Sequence, residues 1–154
     1  MNLHLDASFG RINTLRKELI PAAIKVVEKC HSLSIPIYII WAHRTVEEQD
    51  LLYRYGRSMP GIIQTTRRGG FSAHNYGLAI DFCLIKGNDF ISWNEVYLNA
   101  KWRSKWLKAA LFFQEEGWET GWRWPAFEPG HAQNLLGNTL LELYEQDTCR
   151  NNRK

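Results

Sequence analysis

The stretch SAHNYGLAIDF, residues 72–82, carries a histidine and an aspartate seven positions apart with Gly77 between them, and that spacing constrains the backbone more than any other feature. As one regular strand, residues 74–81 would hold the His74 and Asp81 side chains about 23 Å apart on opposite faces, given about 3.3 Å per residue and a period of two. As a helix they would share a face, yet at about 1.5 Å per residue they would stay about 10 Å apart, too far for one small ion with bonds of about 2 Å. Gly77 and the β-rich run after it also disfavour a helix. The remaining geometry is a bend at Asn75-Tyr76-Gly77, where Asn and Gly tolerate turn dihedrals, folding His74 back toward a strand that carries Asp81. Two readings then stand: ordinary hydrogen-bonding residues in a glycine turn, or two ligands of one metal ion.

A second stretch bears on that choice. In FEPGH, residues 127–131, Glu128 precedes His131 by three positions, with Pro129 and Gly130 forcing a turn. A catalytic zinc takes three protein ligands of the His and carboxylate kind, and its chemistry needs a carboxylate that is not itself a ligand. His131 suits the third ligand and Glu128 the free carboxylate. An isolated E-x-x-H is more commonly a surface carboxylate and a satisfied loop histidine, so only the combination with residues 72–82 gives it weight. His4 and His31 lack such surroundings, whereas His43, at a strand end beside Arg44, is expected to face the same cleft.

The rest of the chain reads as scaffold for one domain spanning residues 1–154, with a polar tail over 147–154. Of 154 residues, 45% are apolar, which is enough for one core and too short a chain for a second domain of ordinary size. Apolar positions Ile12, Leu15 and Leu19, then Ile20, Ala23, Ile24, Val27 and Cys30, have helical spacing, with Pro21 opening a second helix or kinking one long one. Residues 35–42, IPIYIIWA, predict a buried strand ending at His43 and Arg44. Thr45 and Glu48 form a capping box for a helix that Gly56 stops. Residues 57–71 are a Gly- and Pro-containing loop whose length suggests function. A strand over 78–85, a turn at KGNDF, a helix near 103–116 with Trp106, Ala110 and Phe113 on one face, short strands and turns over 117–131, and a closing helix over 138–146 with Leu140, Leu143 and Tyr144 inward complete the map. The fold class is α+β, with helices packed on a small antiparallel sheet and the site in a cleft on that sheet.

Three cysteines, Cys30, Cys83 and Cys149, are far apart with no metal-ligand spacing, which argues against a disulfide framework. A net charge of +3 is scattered, and so mild a bias gives little support for nucleic acid, whose binding would show a steep salt dependence. No apolar run approaches the roughly 18 residues that span a bilayer, and the first residues lack a secretory apolar core, so synthesis in the cytosol without membrane insertion is the expectation.

Taken together these motifs resemble the D-alanyl-D-alanine metallopeptidase family of zinc peptidoglycan peptidases. SAHNYGLAIDF fits the family pattern S-x-H-x-x-G-x-A-x-D in full, and HRTVEEQ, residues 43–49, is similar to its R-[ST]-x-x-x-Q segment. The run RRGGFSAHNYG, residues 67–77, is especially similar to the phage-type L-alanyl-D-glutamate endopeptidase (endolysin) branch. The resemblance implies one Zn2+ per chain on His74, Asp81 and His131, with Glu128 as the general base and Arg44 as the residue that polarises the substrate. It places Gln49 on the cleft lining, with Ser72 and Tyr76 as further candidates for substrate contact. The implied substrate is the peptidoglycan stem peptide, cut between L-alanine and D-glutamate. An endolysin made in the host cytoplasm reaches the wall only after a membrane-permeabilising partner has acted.

A D-alanyl-D-alanine carboxypeptidase or dipeptidase would share the chemistry but needs a cation for a terminal carboxylate, for which Arg67 or Arg68 could serve. A non-catalytic wall-binding protein with a structural zinc needs neither Arg44 nor Glu128. Two departures, Glu128-Pro129-Gly130-His131 where the family often has Asp-x-Pro-His, and His43 where an aromatic often precedes the arginine, bear on the fine shape of the pocket.

Overall fold

The computed structural model describes residues 3–152 and has the expected α+β composition. Helix α1 (Leu3–Ile12) and helix α2 (Ile20–Ser32) precede strand β1 (Ile37–Trp41) and helix α3 (Val46–Arg54). A 3-10 turn (Ala73–Tyr76) leads into β2 (Ala79–Lys86) and β3 (Asp89–Phe90), followed by α4 (Trp93–Leu98) and α5 (Ala100–Glu115). The chain closes with β4 (Glu119–Thr120), a second 3-10 turn (Gly121–Arg123), β5 (His131–Gln133) and α6 (Leu140–Asn151).

The sheet runs β1-β2-β5-β4, with β3 also on β2, and its strand pairs are antiparallel. Its register positions the chemistry. Asp81 on β2 stands opposite His131 on β5 and opposite Trp41 on β1, so the end of the central strand is flanked by both neighbours at the same level. Directly opposed residues of an antiparallel pair share a face, with β-carbons about 4.5–5.5 Å apart. One core cluster lies under the sheet, in which Phe82 stacks on Trp106 and Trp106, Ala110 and Phe113 of α5 are buried as the helical spacing predicts.

The N-terminal region departs from expectation. Leu15 and Leu19 are buried, but α1 ends at Ile12 and the chain turns before α2, which Pro21 opens at its first turn. A proline is tolerated there because the first turn has no N–H to satisfy within the helix. The capping box at Thr45 is present, with both reciprocal hydrogen bonds. At the C-terminal end Leu143 is buried, while Tyr144 is partly exposed and stacks on Phe71 at 4.3 Å between centroids. Of the polar segment 147–154, residues through Asn151 complete α6, and 153–154 lie outside the described residues. No helix among the described residues is long and apolar enough to cross a membrane.

Candidate metal centre and active-site cleft

His74 reaches Asp81 by the turn that the spacing requires. The 3-10 turn ends at Gly77, whose φ of 66° is left-handed, and a β-carbon there would come within 3.0 Å of the Arg16 nitrogen. Glycine is therefore required both for the backbone angle and for the close approach of the segment between α1 and α2. The turn is tied to the end of β1: Arg44 N–H donates to the His74 carbonyl at 3.0 Å, and His74 Nδ1 lies 2.6 Å from the Ala42 carbonyl. A carbonyl only accepts, so Nδ1 donates to it, which turns Nε2 into the cluster. That atom faces Asp81 Oδ1 at 3.3 Å.

His131 arrives from the other side. Its Nδ1 is 3.1 Å from Asp81 Oδ1, and its Nε2 is 3.2 Å from Gln133 Oε1. The ligand atoms of His74, Asp81 and His131 all lie within 4.8 Å of one another, so the three could hold one metal ion. Outer hydrogen bonds of the kind made by Ala42 and Gln133 orient metal-ligating imidazoles in metalloenzymes. Gln133 is a residue that the motif pattern misses. It sits two positions beyond His131 on a strand, hence on the same face, which is the signal that could have found it.

Charge is distributed to match. Burial would push the Asp81 carboxyl up, but the His74 charge, hydrogen bonds from His131 and His74, and the His131 charge together hold it far below the ordinary carboxylate range. For His131, burial acts downward, and the hydrogen bond and charge of Asp81, helped by Gln133 and Glu128, more than offset it. Asp81 is thus favoured as the ionised carboxylate, the form that holds a cation, whereas His131 must give up its proton to serve as a ligand.

Arg44 is buried and faces Asp81 from β1's end, with Nη2 donating to Oδ2 at 3.3 Å. Its Nη1 donates to Gln49 Oε1 at 2.8 Å, and Nε has no hydrogen-bond partner among the described residues. Gln49 is fully buried, and its Nε2 donates to Thr65 Oγ1 at 3.1 Å and to the Arg67 carbonyl at 2.8 Å. The expectation that Gln49 lines the cleft is corrected: Gln49 is buried behind the wall, and its amide joins Arg44 to Thr65 and Arg67, which do line it. Tyr76 likewise stands behind the wall, its hydroxyl donating to the Gly70 carbonyl at 2.6 Å. His43 is exposed and absent from the cleft wall: it lies beyond the end of β1, in the irregular segment that leads to α3.

The cleft has a volume of about 970 Å³, and its wall includes Arg44, Arg67, Ser72, Trp124, Glu128 and the three cluster residues. Glu128 is exposed at this wall, outside the cluster. Its backbone is fixed by Glu128 N–H to the Gly121 carbonyl, 3.1 Å, and by His131 N–H to its own carbonyl, 3.0 Å. A β-carbon at Gly121 would fall 2.3 Å from the Glu128 carbonyl oxygen, so only glycine lets this loop close on the second 3-10 turn. Of the two arginines considered for a terminal carboxylate, Arg67 lines the cleft, whereas Arg68 lies 5.2 Å over the Tyr53 ring.

Comparison with known proteins follows the same lines. A family model described as D-alanyl-D-alanine carboxypeptidase matches residues 65–134. The peptidoglycan L-alanyl-D-glutamate endopeptidase CwlK of Bacillus subtilis (strain 168) is 42% identical over 105 residues, which is 68% of this chain and 63% of that protein. This chain therefore spans less than two thirds of that relative's length. Among solved structures, the L-Ala D-Glu endopeptidase ChiX of Serratia marcescens superposes with a TM-score of 0.57 at 18% identity, over 82% of this chain and 85% of that one. The LD-carboxypeptidase LdcB gives 0.57 at 18% identity, over 85% and 68%. At such identities the two structures share a fold with this chain.

Proposed function

Because the chain belongs to the D-alanyl-D-alanine metallopeptidase family, we propose that it is a zinc-dependent peptidoglycan endopeptidase cutting the L-alanyl-D-glutamate bond of the stem peptide. The observation that carries this reading is the convergence of His74, Asp81 and His131 on a cleft wall that also bears Glu128 and Arg44. A structural zinc is usually closed by four protein ligands, whereas three nitrogen and oxygen donors beside an open cleft fit a catalytic one. Two imidazoles with outer hydrogen bonds and one ionised carboxylate suit Zn2+.

When bound, Zn2+ supplies Lewis acidity, polarising a carbonyl and bringing the pKa of water toward about 7. The chain's own residues do the rest. The Glu128 carboxylate takes a proton from the attacking water and returns it to the leaving amine. The Arg44 guanidinium, held in the wall by Gln49 and Asp81, stabilises the negative charge that develops on the carbonyl oxygen. Ser72 offers its hydroxyl from the same wall for substrate contact.

Gln49 acts here as a positioning residue. Gln49→Leu keeps the volume but removes the amide that joins Arg44 to Thr65 and Arg67. It is expected to lower kcat about 10- to 100-fold, the range for lost outer hydrogen bonds, with KM little changed. Steady-state kinetics on a soluble stem peptide check this, and a loss confined to KM would contradict it.

The endolysin form of the reading is supported by the similarity of residues 67–77 to that branch. On it, the protein is made in the host cytoplasm and acts on the wall once a separate protein has permeabilised the membrane. The D-alanine-trimming alternative is favoured by one observation, the place of Arg67 on the cleft wall, where it could meet a terminal carboxylate. Mass spectrometry of fragments from purified peptidoglycan separates them. New D-glutamyl amino termini support the endopeptidase, and release of free D-alanine without them overturns it.

A further inference from the structure

Beside the cleft, Trp93, Tyr97, Trp122 and Phe127, with Asn94 and Arg103, surround a groove of about 140 Å³. Trp93 is 40% exposed, Tyr97 66% and Phe127 54%, a concentration of open aromatic surface that marks a binding site more often than chance. The wall is stiff. Trp93 meets the buried Trp106 edge-on at 5.4 Å, Trp106 lies 4.8 Å from Trp122, and Trp122 lies 5.4 Å from Phe127. Arg103 Nη1 donates to the Tyr97 carbonyl at 2.9 Å, which ties α5 to the far side of the groove.

Trp93 belongs to the wall of the groove and to that of the cleft. Its indole crosses Gly130 so closely that a β-carbon there would come within 2.8 Å of the ring. The next residue is His131. The wall that the groove shares with the cleft therefore reaches His131 through Gly130.

The chemistry of the wall selects the occupant. Aromatic faces bordered by an amide and a guanidinium suit a pyranose, which presents C–H bonds on its faces and hydroxyl and acetamido groups at its rim. In peptidoglycan the amine of the first stem residue, L-alanine, is acylated by the lactyl group of an amino sugar. The bond assigned above is one residue from that attachment, or about 3.5 Å of chain. An enzyme that cuts there must accommodate the sugar just outside its cleft.

We infer that the groove between α4, α5 and the Glu128 loop is a subsite for an amino sugar of the glycan strand, entered alongside the stem peptide. This rests on the endopeptidase reading of the cleft. A bond near the D-alanine end of the stem would place no sugar there.

Tyr97→Ala and Phe127→Ala, both largely exposed positions outside the cleft wall, are assayed on a free stem peptide and on the same peptide linked to its disaccharide. On the linked substrate kcat/KM is expected to fall about tenfold or more, through KM, while the free peptide is cut within about twofold of the parent rate. Equal losses on both substrates, or none on the linked one, overturn the subsite. Peptide-free glycan strands, followed by tryptophan fluorescence, give an independent readout: the parent protein binds them and both variants bind about tenfold more weakly. Binding of strands by a protein that cuts neither peptide sinks the endopeptidase reading and supports the groove. Absence of strand binding, or Tyr97-dependent binding to phosphatidylglycerol vesicles in its place, overturns the groove alone.

Discussion

Replacing Glu128 by glutamine is expected to lower kcat by about 10²- to 10⁴-fold, the range for losing a general base, while each chain still binds one zinc ion. The two halves of that expectation come from different observations. Glutamine matches the size of glutamate but cannot accept a proton at neutral pH, so the water loses its base and the amine its proton donor. Metal is retained because Glu128 stands outside the His74, Asp81 and His131 cluster. The loop that presents it is held through its backbone, by Gly121 and His131, and those bonds survive the substitution. Single-turnover cleavage of a stem peptide and metal analysis of the same dialysed sample read both quantities. A variant as empty of zinc as a ligand mutant would make Glu128 a ligand and remove its assigned role.

His74→Ala is expected to have the opposite signature, with zinc content falling close to zero and cleavage falling to background. Two donors would remain, and Asp81 would lose one of the two imidazoles that face its Oδ1. The substitution also leaves the Ala42 carbonyl, which His74 Nδ1 contacts at 2.6 Å, without that partner. An unsatisfied buried acceptor costs about 1–3 kcal/mol, so the variant should fold but melt at a lower temperature. Circular dichroism melts alongside metal analysis separate loss of metal from loss of fold. Full zinc occupancy in a folded His74→Ala protein would mean that the ion is held elsewhere.

The difference between these two variants depends on geometry that the sequence shows only in part. The bend at residues 75–77 was readable because neither a strand nor a helix brings His74 to Asp81, and the left-handed Gly77 supplies it. The capping box at Thr45 was readable because its spacing is local. By contrast, the register that sets Asp81 opposite His131 joins residues fifty positions apart, and no short-range pattern encodes it. The burial of Gln49 was hidden for the same reason, since its partners Thr65 and Arg67 belong to a loop of irregular backbone. Leu15 and Leu19 show the converse failure. Their spacing mimics a helix although they are buried from the turns between α1 and α2, because the core selects apolar residues from any backbone that passes over it. Gly121 gave no sign of its role, which is to leave room for a carbonyl on a loop seven residues away.

The metal centre itself is tested most directly by anomalous diffraction at the zinc edge from crystals grown with one equivalent of Zn2+. The account predicts a single strong peak about 2.0–2.2 Å from His74 Nε2, an Asp81 carboxylate oxygen and His131 Nδ1, with Glu128 out of bonding reach. A peak placed elsewhere, or no peak from a folded protein with the site residues intact, would contradict it.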